Sequence, residues 1–147
     1  SIFGNFMAGS YFFANQAYNA NELTINDQLY LLESQIIHSL AEKGPCVIIG
    51  RCADYVLREH KHTLNVFVHA DIEFRKKRAV EHYGISPKKI EEFLHKQDKH
   101  RAHYHSFYTD QKWKAIENYD LTIDSSRFGI DASVEMIIAA AKIKSGI

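Results

Sequence analysis

The sequence predicts an α/β fold built on a parallel sheet, and three features carry that prediction. Short apolar runs alternate with segments of helical periodicity along the chain. That alternation marks βαβ units, whose crossovers force parallel pairing. The run Cys46–Ile49 ends in Gly50-Arg51, as a buried strand does when it delivers a cation to the carboxyl edge of a sheet, where ligands bind in open α/β folds. The chain has 147 residues, 46% hydrophobic and 24% charged, which suits one domain with a substantial core.

The elements follow in order. Residues 1–25 fit neither helix nor strand, yet Phe3, Phe6, Tyr11, Phe12, Phe13 and Tyr18 make them too aromatic for a disordered linker. Asn26 or Asp27 is placed to cap a helix. Leu29, Leu32, Ile36 and Leu40 recur at helical spacing, and Gly44 stops the helix. Cys46–Gly50 is expected as the first strand, 53–59 as a short helix and 64–69 as a second strand. Asp71 should cap a helix carrying Phe74, Arg75, Arg78 and Val80 and ending at Gly84. Ser86-Pro87 restarts a helix, with Ser as cap and Pro at the first helical position. That helix should reach about Tyr104, followed by a polar, aromatic stretch to Asn118. A third strand over 119–124 and an amphipathic helix over 130–144 complete the chain. Neither a repeat nor a linker interrupts it.

Eighteen basic residues balance eighteen acidic ones, which argues against bulk duplex binding. Nucleic acid is not an expected partner, and no RNA-binding motif is present. The two cysteines, Cys46 and Cys52, have no metal-ligand spacing, and a reduced cytoplasmic interior is the expected compartment. No run approaches a membrane span, so a membrane partner is not expected either. Homo-oligomerisation is left open.

Four constellations bear on chemistry. Lys96, Asp98, Lys99 and Arg101, followed by His103, Tyr104, His105, Tyr108 and Lys112, put many donors on one segment. Asp98 and Arg101 share a helix face, and such a set suits a nucleotide phosphate; a solvated face with an internal ion pair is the plainer alternative. Arg75 and Arg78 stand one turn apart after the second expected strand, aimed either at an anion or, with Lys76 and Lys77, at solvent. His95, His100, His103 and His105 cluster without a carboxylate or thiolate frame, so no metal site is expected. Gly4-Asn-Phe-Met-Ala-Gly9-Ser10 has the glycine spacing of a phosphate-binding loop but lacks the lysine and the preceding strand that would confirm it. Arg51 itself is either a phosphate contact or a structural ion pair.

Taken in order, the segments 44–57 (Gly-Pro-Cys-Val-Ile-Ile-Gly-Arg-Cys-Ala-Asp-Tyr-Val-Leu), 96–104 (Lys-Gln-Asp-Lys-His-Arg-Ala-His-Tyr) and 118–126 (Asn-Tyr-Asp-Leu-Thr-Ile-Asp-Ser-Ser) resemble the cytidylate-kinase-like group of P-loop nucleoside monophosphate kinases. The resemblance covers about residues 20–143. It implies a three-layer P-loop NTPase fold and phosphoryl transfer, with Mg2+ as cofactor, from ATP to a small acceptor such as CMP. The alternative is a non-catalytic nucleotide-binding or regulatory relative. Arg51, Asp98 and Arg101 are the implied catalytic residues; Arg51, Asp54, Arg75, Arg78, Lys96 and Lys99 are the implied substrate contacts. Cytidylate kinases follow the Gly-Arg with an aspartate that holds the acceptor. Cys52 stands there in this chain, and Asp54 is the nearest carboxylate. Two further lid arginines of the family correspond to Leu94 and Gln97, which Lys96 and Lys99 replace in part. Family members begin with a strand, a glycine-rich phosphate loop and a helix. The resemblance therefore leads one to expect that residues 1–147 are the later portion of a single kinase-like domain, its lid at about 86–117, lacking the phosphate-loop strand and helix.

Overall fold

The computed structural model describes residues 23–146, and in it the chain divides after Arg51 into two compact units. The expectations for residues 1–22, including the glycine-spaced segment Gly4–Ser10, lie outside the described residues.

Among the described residues the first unit holds helix α1, Ile25–Lys43. Its cap is Thr24, one turn earlier than Asp27. The Thr24 hydroxyl accepts the Asp27 N–H at 3.2 Å while the Asp27 carboxylate accepts the Thr24 N–H at 3.2 Å. Each side chain thus satisfies a donor that helix geometry leaves bare. Asp27 is part of the cap, as the third helical residue and not as its head. Gly44 ends the helix as expected, at φ 143°. The following segment corrects the sequence reading, because Cys46–Gly50 is not a strand. It forms no ladder among the described residues, and Val47 and Ile49 are 92% and 89% exposed. The physical reason is non-local. A strand needs a neighbour for its N–H and C=O groups, and among the described residues none lies alongside.

The second unit is a mixed α/β body. Helix α2, Ala53–Val56, is followed by strand β1, Val66–His69. Helix α3, Ile72–Tyr83, starts at Asp71, whose carboxylate accepts the Phe74 N–H at 2.8 Å, and stops at Gly84 in the left-handed region, φ 62°. Both ends match the sequence reading. Helix α4, Ile90–Thr109, does not begin at Ser86-Pro87. Those residues form a turn in which the Ser86 carbonyl accepts the Lys89 N–H at 3.0 Å. Nor does α4 stop at Tyr104. It runs on to Thr109 and ends at Asp110. A 3-10 turn, Ile116–Asn118, leads to strand β2, Leu121–Asp124, then short helix α5, Ser125–Phe128, and helix α6, Ile130–Ser145.

β1 and β2 pair in parallel, Val66 opposite Leu121 through His69 opposite Asp124. Two strands, not three, form the sheet among the described residues. Side chains lace both ends of it. At the amino end the Asp120 carboxylate accepts the Asn65 N–H at 2.7 Å. At the carboxyl end Ser125 Oγ donates to the His69 carbonyl at 3.1 Å, and the Asp71 N–H donates to Ser126 Oγ at 3.1 Å. Ser126 Oγ in turn donates to the Asp124 carboxylate. Ile123 is 2% exposed beneath this lacing. A separate apolar cluster of Ala79, Ile90 and Leu94, joined by Ile72, Val80 and Ile85, packs α3 against α4. Lys76 Nζ reaches Glu91 at 2.6 Å across the same seam.

Candidate functional site

The candidate site grows from the α3–α4 seam. Arg75 lies in the first turns of α3, so it stays near the carboxyl end of β1, the ligand-binding edge of a parallel sheet. Asp98 lies on the inner face of α4, two turns beyond Ile90. Arg75 Nη1 and Nη2 each donate to Asp98, to Oδ2 and Oδ1, both at 2.8 Å. This fork-to-fork pair is the strongest form of Arg–carboxylate contact. Arg101, one turn on, brings Nη1 to 3.6 Å from Asp98 Oδ1, and Lys114 brings Nζ to 3.7 Å from Oδ2. Both distances are too long for hydrogen bonds.

Three cations therefore surround one carboxylate. The Asp98 side chain is 19% exposed, while those of Arg101 and Lys114 are 56% and 62% exposed. Burial works to push the Asp98 carboxyl up. The bonds from Arg75, then the charges of Lys114 and Arg101, more than offset it and hold the group below its ordinary value. The result is a fixed anchor, Arg75–Asp98, beside two exposed cations whose donors make no hydrogen bond among the described residues.

A second pair lies two turns further along α4. His105 is buried, and its Nε2 is 2.8 Å from Asp54 Oδ2 on α2. Its Nδ1 lies 3.2 Å from Thr109 Oγ1 and 3.4 Å from the Gln111 carbonyl. Thr109 Oγ1 donates to the His105 carbonyl at 2.6 Å and accepts the Gln111 N–H at 3.1 Å. Asp54, expected as an acceptor contact, thus has one carboxylate oxygen committed to a buried histidine. It also lines a hollow of about 190 Å³ with Tyr55, Arg58, Asn65, Gln111 and Asn118, beside the amino ends of the strands. Nearby, burial first, then the charges of Asp54 and Cys52, push the Tyr119 hydroxyl up to about 12. That hydroxyl donates to the Trp113 carbonyl at 2.6 Å.

The other expected residues are placed as follows. Arg51 belongs to the first unit, where Nη1 is 3.3 Å from Glu33 of α1. Gly50, Arg51 and Cys52 have φ of 69°, 56° and 54° in succession. For two non-glycine residues that is a costly backbone, of the kind that collects at functional loops. Arg78 stands over the Phe74 ring, 6.0 Å from its centroid, with no contact to Asp98. Lys96 and Lys99 are exposed on α4 and make no ion pair among the described residues. Sequence reasoning did not single out Lys114, which carries no periodicity or motif. Nor did it separate His105 from its exposed neighbours His100 and His103, although a helical wheel places His105 in line with Ile90 and Leu94.

The model of the cytidylate kinase-like family matches residues 2–127. The chain belongs to the cytidylate kinase-like family. Among solved structures it is similar to the crystal structure of an uncharacterized protein from Eubacterium ventriosum ATCC 27560, with 29% identity and a TM-score of 0.76 over 82% of this chain and 68% of that one. No curated protein matches it. Membership of a cytidylate kinase-like family gives the cationic cluster a nucleotide-related, kinase-like context. Among the described residues no helix is long and apolar enough to cross a membrane.

Proposed function

We propose that this cytidylate kinase-like chain has a P-loop kinase fold and transfers a phosphoryl group from a nucleoside triphosphate to a small acceptor, a nucleoside monophosphate such as CMP. The observation that carries the reading is the Asp98 anchor: one carboxylate that fixes Arg75 bidentately and holds Arg101 beside it as an exposed cation. Phosphoryl transfer spreads charge over equatorial oxygens and asks the protein chiefly for positioned cations. Arg101 would bind phosphate directly. Asp98 would orient both arginines, and Arg75 would hold the anchor while its charge faces the same anion. Arg51, on its left-handed backbone, would meet the acceptor phosphate. Asp54, Arg78, Lys96 and Lys99 are proposed as further substrate contacts. Residues 1–147 are proposed to form one kinase-like domain with a lid over about 86–117.

ATP and Mg2+ are the proposed donor and cofactor. Among the described residues no three of His, Cys, Asp or Glu converge on a point. Mg2+ is commonly held by one or two carboxylates and the substrate's phosphates, so it would arrive with the donor, whose developing charge it neutralises. What the described residues supply is cations. The proposed compartment is the cytoplasm.

The test is release of ADP from ATP by the full-length protein, with CMP and the other nucleoside monophosphates as acceptors. CMP should accelerate release. Arg101→Ala should lower kcat/KM about 10- to 100-fold, the range for a charge-assisted contact, with little change in Tm. CMP binding with no turnover would make the protein a nucleotide-binding relative and overturn the transfer step.

A further inference from the structure

We propose that Lys114 is a third phosphate-binding cation, and that it makes the Asp98 site selective for ligands carrying two or more adjacent phosphoryl groups. This rests on the phosphate-binding reading given above. The inference starts from where Lys114 is held. It follows α4 on the segment that returns to the sheet, and its backbone is fixed from both sides. The adjoining Trp113 packs edge-on to Phe67 of β1, at 5.5 Å and 81°, and its carbonyl accepts the Tyr119 hydroxyl at 2.6 Å. The Lys112 carbonyl accepts the Ala115 N–H at 3.0 Å, closing a turn around Trp113 and Lys114. A lysine on so anchored a stretch loses less freedom when it binds than one on a free loop.

Its ammonium has been brought to the site without being used up there. Nζ sits 3.7 Å from Asp98 Oδ2 and 5.5 Å from the Trp113 ring centroid. Neither contact is a hydrogen bond, and among the described residues Lys114 makes none. Its three N–H donors stay available. Arg101 approaches the other oxygen, Oδ1, of the same carboxylate. The two cations therefore reach opposite oxygens of one anchor, and both are more than half exposed. One phosphoryl group presents about 1.5–2 negative charges on one compact set of three oxygens. Two adjacent groups, carrying more charge over a greater length, can meet both at once. The net excess of two positive charges, three cations against one carboxylate, asks for a ligand of that kind.

The test uses isothermal titration calorimetry of the full chain with tripolyphosphate, pyrophosphate and inorganic phosphate. Emission of Trp113, the only tryptophan in the sequence, gives a second, local readout. Lys114→Met should weaken tripolyphosphate binding about fivefold, as expected for an exposed cation, and weaken inorganic phosphate binding less. Lys114→Arg should restore most of the loss. Melting temperature should stay put in both variants. Unchanged tripolyphosphate affinity in Lys114→Met, with a clear loss in Arg101→Gln, would overturn the Lys114 assignment and leave the phosphate site standing. Unchanged affinity in Arg75→Gln and Arg101→Gln as well would overturn the phosphate reading itself.

Discussion

Helix α4 contributes to two carboxylate-centred pairs, His105 with Asp54 and Asp98 with Arg75, and they differ in what they leave unspent. At His105 the ring is buried. Both its nitrogens have partners, and the hydroxyl and amide around it are engaged with one another. At Asp98 the carboxylate takes both bonds from Arg75, yet among the described residues Arg101 and Lys114 stand by without hydrogen bonds. The first arrangement closes on itself and holds α2 to the end of α4. The second is closed on one side and open on the other, as a binding surface must be. Burial and the number of partners separate them.

The comparison breaks most sharply at the buried pair. His105→Ala should cost about 2–4 kcal/mol of stability, because it leaves Asp54 without its partner in a poorly solvated place. Urea unfolding would measure it. An unchanged midpoint would mean the pair is solvated and the contrast false. Next in size, Arg75→Ala should cost about 1.5–3 kcal/mol, the range for a charged hydrogen-bonded partner, and phosphate binding should fall with it.

The pH dependence sharpens the contrast further. Asp98 is held below its ordinary pKa in the folded protein. A depressed carboxyl contributes stability above its unfolded value, about 3.9, and loses it as pH falls through the lower folded value. Wild-type stability should therefore drop as pH falls below about 4, and Asp98→Asn should flatten that limb while starting lower at neutral pH. Acid titration followed by circular dichroism would show it. The smallest expected effect is that of Arg101→Ala on folding, under about 0.5 kcal/mol, alongside the kinetic loss expected of it. A large stability change would move Arg101 to the structural side.

What the sequence reveals and what it hides follow the same division between local and distant causes. Asp71 and Gly84 were legible as the ends of α3, because a cap is a contact between residues three apart and a left-handed stop is a property of one residue. The pairing of Asp98 with Arg101 was legible for the same reason. Cys46–Gly50 was misread as a strand because its apolar run states a preference, whereas a strand exists only when a neighbour accepts its hydrogen bonds. Ser86-Pro87 carried a local start signal, and a turn satisfied it instead. The approach of Arg75 and Lys114 to Asp98, and of His105 to Asp54, spans 16 to 51 positions and leaves no trace in spacing.

The sheet has a consequence for how the chain comes to be folded. Each β1 residue pairs with a partner 55 positions later, and the side-chain bonds at the two ends of the sheet span 55 or 56. On a ribosome, then, β1 emerges long before β2, its partner among the described residues. α3 and α4 contact each other locally and can form a helical hairpin in the interval, which shortens the loop that remains to be closed. Strand pairing should be the late step, completed only once Asp124 and the two serines after it are free of the exit tunnel. Until then Val66–His69 waits without β2, and an open strand edge of that kind is prone to wrong partners during synthesis.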